Sequence, residues 1–385
     1  MNIYIDATNV GGGGGVTHLK EILNDAHLSK SSFDNIYIYA SSKVLKNLPN
    51  NSFIFKITHP FLNSNFLMRF IFQYFLFDKI VRKNCDILFS ITGDYLGSFR
   101  PVVGMSRNML LYDKKTVSEF KSIFEKLKFD LSFFRQKKSF EKSIGVIFIS
   151  KAAQSIASKF IDFTGVNTVL IHHGISSNFS SLPKKQYSIN HYSFSHPFNF
   201  LYVSTVHLYK HQWNIVKVIG ELRNEGYPVS LTLIGGSIFL PAEKLLIKTI
   251  DNVDPNREFI DWKGNVEYSQ INKIYKQTDG IIFASTCENM PNILIESMYS
   301  GSAIACSDKQ PMPEFLKNSG FYFDSHSISS IKSSLKFMLN NPEIREKYII
   351  ENQKEVKIYS WDKTSCATFD FIQDCFYKYN KNVQK

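Results

Sequence analysis

Cysteine is scarce in this chain: Cys85, Cys287, Cys306, Cys366 and Cys375 are scattered over 385 residues. The count is odd, and no CxxC or Cys/His spacing is present, which argues against a disulfide framework or a zinc site. No apolar run reaches the roughly 18 residues that a membrane-spanning helix needs. The chain opens on a strand-like Asn2-Ile-Tyr-Ile-Asp6, with no basic-then-apolar leader. A cytoplasmic setting is the expectation. An Asp-x-Asp pair is also missing. Without that carboxylate grip on a metal–nucleotide complex, no metal and no separate cofactor are expected.

The familiar nucleotide fingerprints are missing too. After the first strand come Asp6-Ala-Thr-Asn-Val10 and five glycines, Gly11 to Gly15. No register of that run gives the i, i+2, i+5 glycines of a dinucleotide loop, and no lysine follows at the Walker A position. The second strand, Ile36-Tyr-Ile-Tyr-Ala40, runs into Ser41-Ser42 instead of an acidic residue. Ordinary NAD and ATP sites are therefore disfavoured. The run is either a flexible turn or a place where a ligand approaches bare backbone. Five glycines exceed what a turn needs, and they cost backbone entropy on folding.

What is present is globular and basic. Hydrophobic residues at 44% and charged residues at 21% leave no room for extensive disorder, and the length favours two domains. A net charge of +11 suits a polyanionic partner: nucleic acid, an anionic membrane face or a phosphorylated ligand. Short apolar runs alternate with helical periodicity along the chain, which predicts an α/β protein with doubly wound sheets. Helical spacing of Val16, Leu19, Ile22, Leu23 and Ala26 completes the first strand–loop–helix unit. Phe66 to Val81 reads as a buried crossover helix. Lys114 to Lys142 is basic and helical, with Phe120, Phe124, Phe129, Phe133 and Phe134 interleaved. It is either a solvated face or one attracted to an anionic bilayer. The first domain is expected over 1–180, a linker over 181–197 and the second domain over 198–358. A final helix, 361–380, is left to pack elsewhere, most simply on the first domain.

Two stretches carry chemistry. Pro101-Val-Val-Gly-Met105 leads into Ser106-Arg107-Asn108, and strand ends of open α/β sheets are where ligands bind. Arg107 is thus a candidate for an anionic group, with a surface salt bridge as the plain alternative. In the second half, Gly280 to Ser285 reads as a buried strand. Cys287-Glu288-Asn289-Met290-Pro291-Asn292-Ile-Leu-Ile-Glu296 then supplies a polar loop and a helix start, and Gly301 supplies its stop. A helix start suits a phosphate, and nearby carboxylates suit sugar or ribose hydroxyls. Phosphate and hydroxyls together point to a nucleotide sugar. Lys210, at the end of another strand in His207-Leu-Tyr-Lys-His-Gln212, is a natural partner for a diphosphate.

Glu288 and Glu296 with Pro291-Asn292 between them resemble the E-x7-E signature of retaining glycosyltransferases of the GT-B fold, with two facing Rossmann-like domains and a cleft between them. The similarity is to the group often called family 4, which includes bacterial O-antigen, capsule and lipopolysaccharide hexosyltransferases. Tyr209-Lys210-His211-Gln212, Gly235-Gly236, Trp262-Lys-Gly264, Gln310-Pro-Met-Pro-Glu314, Gly320-Phe-Tyr-Phe323 and Tyr359-Ser-Trp361 continue the likeness.

The resemblance implies roles. Lys210 would meet the donor diphosphate, and Glu288 hydroxyls of the transferred sugar. Asn289, Met290 and Asn292 would offer backbone at the helix start, and Glu296 would hold the ribose. Gly236, Gly264 and Asn265 would fall in the nucleotide loops. Gly12, Gly13 and Gly14 would close over the diphosphate from the first domain. Thr205 stands where many relatives carry an arginine, which implies a donor site that is a cation short or has that cation supplied from elsewhere in the chain. Arg107-Asn108 stands for the usual strand-end histidine and is read as acceptor-side. The implied partners are a UDP-, GDP- or ADP-sugar and a lipid-linked or oligosaccharide acceptor, with peripheral contact to an anionic membrane face and no nucleic acid. A nucleotide-sugar epimerase of the same architecture and a non-catalytic glycan- or nucleic-acid-binding subunit remain as alternatives.

Overall fold

The computed structural model describes residues 1–24, 33–120 and 122–383. They divide into two compact units: Met1–Gly174 with Tyr359–Lys385, and Ile175–Ile358. Each is built on a parallel sheet sandwiched by helices.

The first sheet runs through β1 (Asn2–Asp6), β2 (Asn35–Tyr39), β3 (Ile54–Ile57), β4 (Ile87–Ser90), β5 (Val102–Ser106), β6 (Gly145–Phe148) and β7 (Asn167–Leu170). Its spatial order is β3-β2-β1-β4-β5-β6-β7. Central strands β4, β5 and β6 are buried along their whole length, as a parallel sheet covered on both faces requires. That is why they read as continuous apolar runs and not as alternation. The helix after β1 spans Gly14–Leu23 and buries Leu19, Ile22 and Leu23. Ala26, assigned to it from sequence, lies outside the described residues.

Two helical expectations are refined. The segment from Phe66 is a helix (Phe66–Ile71), a π-helical turn (Phe72–Leu76) and a second helix (Phe77–Asn84). Phe72, Phe77 and Val81 join the core, while Leu67 and Phe75 face solvent. The basic stretch from Lys114 breaks into Lys114–Ser118 and Ile123–Glu141. Asp113 and Ser122 cap the two helices by accepting from Thr116 N and Glu125 N.

The second sheet contains β8 (Phe198–Val203), β9 (Val229–Ile234), β10 (Ile260–Trp262), β11 (Gly280–Phe283), β12 (Ala303–Ser307) and β13 (Phe321–Phe323), in the order β10-β9-β8-β11-β12-β13. The order reverses between β8 and β11. Such a switch point opens a crevice at the carboxyl ends of the strands.

The supposed linker is not a separate element, since 175–197 belong to the second unit. The Lys184 ammonium donates to Tyr275 O at 2.6 Å and Ser302 Oγ at 2.8 Å, and burial pushes it down to about 8. Fully buried Arg345 reaches Gln186 Oε1 at 2.8 Å and the carbonyls of Met338 and Leu339 at 2.6 and 2.8 Å. The segment is held by polar bonds, which leave no periodic trace in sequence. The final helix, Trp361–Val383, belongs to the first unit. Thr364 Oγ1 donates to His172 O and Ser365 Oγ to Ile22 O, both at 2.7 Å. A Cβ on Gly145 would meet Cys375 Sγ at 2.6 Å, so glycine there lets the helix lie against β6.

Candidate active site

The second unit brings the E-x7-E segment and the lysine loop together at the switch point. β8 leads through a tight turn, Leu208–Lys210, to His211, which takes the left-handed conformation (φ 51°) before the helix Gln212–Asn224 begins. β11 leads through Thr286 and Glu288 to the helix Asn292–Tyr299. Thr286 N to Tyr209 O at 2.9 Å and His211 Nε2 with Thr286 Oγ1 at 3.1 Å lace the two loops, and Tyr202 Oη of β8 donates to Lys210 O at 2.6 Å. The Lys210 ammonium is thereby held in an ion pair with Glu288 Oε1, with the two side chains only 8% and 17% exposed. It also stands 5.5 Å from the centre of the Phe283 ring, a desolvated cation–π contact that keeps it off bulk water.

Lys210 is the positive charge of this loop, because the histidines beside it stay neutral. Burial, with the Lys210 charge behind it, pushes His207 down to about 4. Burial and then His326 push His211 down to about 4. Neither reads as a general base from this geometry; both are packing and hydrogen-bonding groups.

Asn289, Met290 and Glu296 are buried beside the start of the helix. Glu296 is its fifth residue, in the second turn, and Asn292 its first. Gly301 follows the C-terminus with φ +74°. A short network ties the neighbouring loops. Gly235 N donates to Gly264 O at 2.8 Å, Gly236 N to Asn265 Oδ1 at 2.8 Å, and Trp262 Nε1 to Gly235 O at 2.9 Å. Thr205 leaves its side chain exposed and its carbonyl bonded to Gln212 Nε2 at 3.0 Å. Tyr202 and Thr286 were not singled out from sequence. Their signal was position alone, within or just after the strands that flank the switch.

In the first unit Gly11 to Gly14 are exposed, and a Cβ on Gly11, Gly12 or Gly13 would touch nothing within 4 Å. Only Gly13 (φ +56°) is required by its backbone conformation. Gly15 is crowded: its Cβ would lie 3.2 Å from Val10 Cγ1 and 3.4 Å from Arg107 Nη1. Arg107 therefore lies against the start of the helix Gly14–Leu23, and burial pushes it down to about 10. It has no carboxylate partner among the described residues. Asn108 accepts from Leu110 N at 3.1 Å. Deeper in, His18 is fully buried with neither ring nitrogen bonded, stacked on His173 at 4.6 Å.

Residues 184–355 match the family profile of glycosyl transferases group 1. The two parallel sheets and the likeness to solved structures give the chain the two-domain GT-B fold. Solved structures of similar fold include HepE of Anabaena in complex with UDP, at TM-score 0.71 and 13% identity over 97% of this chain and 99% of that one. Sucrose-phosphate synthase of Thermosynechococcus elongatus is similar at TM-score 0.73 and 13% identity, over 98% and 100%. WaaG, a glycosyltransferase of lipopolysaccharide biosynthesis, is similar at TM-score 0.70 and 10% identity, over 97% and 99%. At such identities the likeness is one of fold. No curated protein matches the sequence.

Proposed function

We propose that the protein is a retaining glycosyltransferase that moves a hexose-type sugar from a nucleotide-diphosphate sugar to a lipid-linked or oligosaccharide acceptor, without a metal. The observation that carries this reading is the Lys210–Glu288 pair at the switch point of the second sheet, next to the start of the helix Asn292–Tyr299. One cation and one helix end are there to receive a diphosphate; one carboxylate is there to accept sugar hydroxyls. The presence of UDP and of UDP-glucose in the structures of similarly folded HepE supports a nucleotide-sugar donor.

In the donor complex the diphosphate takes over the Lys210 ammonium and Glu288 turns to the sugar. Glu296 accepts from the ribose hydroxyls, and the loops of Gly236, Gly264 and Asn265 flank the base. Asn289, Met290 and Asn292 offer backbone to sugar and phosphate. As the acceptor hydroxyl attacks the anomeric carbon, the bond to the diphosphate oxygen breaks on the same face, and that oxygen takes the acceptor's proton. Lys210 balances the charge growing on the leaving group. Arg107 and Asn108 serve the acceptor. Thr205 contributes only its small hydroxyl and leaves Lys210 as the nearby cation.

Peripheral attachment to an anionic membrane face fits the helix Ile123–Glu141. Ile123, Phe124, Leu127, Leu131 and Phe134 are all more than half exposed, with Lys126, Lys137 and Lys138 among them.

The test is transfer from radiolabelled UDP-, GDP- and ADP-sugars to membrane-extracted glycolipid acceptors. Lys210→Ala and Glu296→Ala, checked for folding by circular dichroism, should each lose at least about a hundredfold in turnover. Full turnover by both variants, or conversion of the donor without any acceptor, would overturn the assignment.

A further inference from the structure

A second polar site lies wholly within the first unit. Asn9 follows β1, Thr92 and Asp94 follow β4, and Arg107 and Asn108 follow β5; all lie at one edge of the sheet. The helix Ile123–Glu141 closes over them with Lys128, Ser132, Arg135 and Gln136. The cavity between is about 350 Å³ and, Leu111 apart, its lining residues carry polar or charged groups. Its size falls at the low end of the roughly 300–1,000 Å³ usual for small-molecule sites.

Its charges do not balance. Asp94 is the only carboxylate in the lining, and it is committed. It pairs with Arg135 at 3.3 Å and accepts from Thr92 Oγ1 at 2.6 Å and from Asn9 Nδ2. Arg107 and Lys128 have no ion-pair partner among the described residues. Arg135 is answered by Asp94 and by the buried Asp6 behind it, which leaves Arg107 and Lys128 facing the cavity with no carboxylate of their own in its lining. Arg135 Nε is buried with no hydrogen-bond acceptor, although its Nη2 reaches Gln73 Oε1 at 3.2 Å. A cavity with two uncompensated cations and an orphaned guanidinium donor is built for an anion.

We infer that this cavity binds a phosphate group carried by the acceptor, with Arg107 and Lys128 as its cations. The amides and hydroxyls of Asn9, Thr92, Asn108 and Ser132 receive the adjoining sugar. The inference rests on the transferase reading only for the word acceptor; the anion site stands on its own geometry. Phosphate can reach it on a lipid or on a soluble sugar, and the chemistry at the site is the same.

The experiment uses the full chain carrying Lys210→Met, which removes the cation of the second unit, titrated calorimetrically with inorganic phosphate. Adding Arg107→Gln or Lys128→Gln should weaken binding about tenfold each, the loss of one charge-assisted contact. Lys128 is exposed on its helix, so its replacement spares the fold. Unchanged affinity in both, or no phosphate binding at all, overturns the site. Competition then identifies the source. Displacement by glucose 6-phosphate marks a soluble sugar phosphate, and displacement by phosphatidylglycerol vesicles marks a lipid. If neither competes, the acceptor role falls. Titration of the parent chain with UDP-, GDP- and ADP-sugars separates the two readings. A protein blind to nucleotide sugars that still binds phosphate through Arg107 refutes the transferase and leaves the anion site standing.

Discussion

Lys210 and Glu288 are 78 residues apart in sequence and form an ion pair across the switch point of the second sheet. Among the described residues each is the other's only ion-pair partner, so a ligand that claims one must release the other. Replacing Glu288 by Gln should free the ammonium and tighten UDP binding on the order of tenfold, while transfer falls because the sugar loses its carboxylate. Calorimetry with UDP beside a turnover assay checks this. Looser UDP binding in the variant would mean that the pair does not compete with the ligand. In stability, Lys210→Ala and Glu288→Ala should each cost about 2–3 kcal/mol. That is below the roughly 3–5 of a fully buried pair, because Glu288 keeps some exposure. The double variant should cost less than the sum.

Two glycines in the neighbouring loops should separate sharply. A Cβ on Gly235 would lie 2.1 Å from the Ser204 carbonyl oxygen, at φ +128°, and backbone on both sides cannot yield. Gly264 is also left-handed, at φ +64°, but open space surrounds it. Urea unfolding should show Gly235→Ala losing on the order of 3 kcal/mol and Gly264→Ala about 1. Equal losses would contradict the packing described for this loop.

Acid should destabilise the protein before its carboxylates titrate. His18 is held well below the ordinary histidine range by burial, and His207 and His211 are pushed down to about 4. The unfolded chain takes up protons below about 6.5 that the native histidines refuse, so stability is full above that pH and falls toward 4. Burial pushes Asp6 up to about 6 and raises Asp279, which opposes the trend, but two carboxylates face three histidines. The melting midpoint at constant ionic strength should drop from pH 6.5 to pH 5. His18→Phe should make that drop shallower in the first unit. A midpoint that rises on acidification would reject the account.

The exposed stripe on the helix Ile123–Glu141 gives a membrane prediction. Phe124 is 87% exposed and Leu127 59%, so neither contributes much to the core. Phe124→Ser with Leu127→Ser should lower co-sedimentation with anionic vesicles at least about tenfold, since each buried side chain adds roughly 1.5–3 kcal/mol. Melting should barely change. Equal binding to neutral and anionic vesicles would leave the flanking lysines without a part.

The second unit was more legible than the first. Its strands are short, apolar and punctuated by glycine, and the Pro291-Asn292 helix start and the Gly301 stop are local chemistry. The anion cavity of the first unit was only half legible. Arg107 declares itself as a strand-end residue, whereas Lys128 and Arg135 read as ordinary helix-surface cations until the helix is folded over β4 and β5. The 181–197 segment was misread because its anchors, Lys184 and the distant Arg345, work through carbonyls.

By itself the sequence determined the strand–helix alternation, the two parallel sheets and the residue types at each strand end, because periodicity, capping and turn chemistry act over a few residues. Tertiary structure decided which strand ends meet: that Lys210 finds Glu288, that Arg107 and Lys128 face one cavity with no carboxylate to spare, and that the last helix returns to the first unit. Those pairings depend on sheet order and on desolvation. Both are properties of the packed chain, and neither leaves a local mark in the order of its residues.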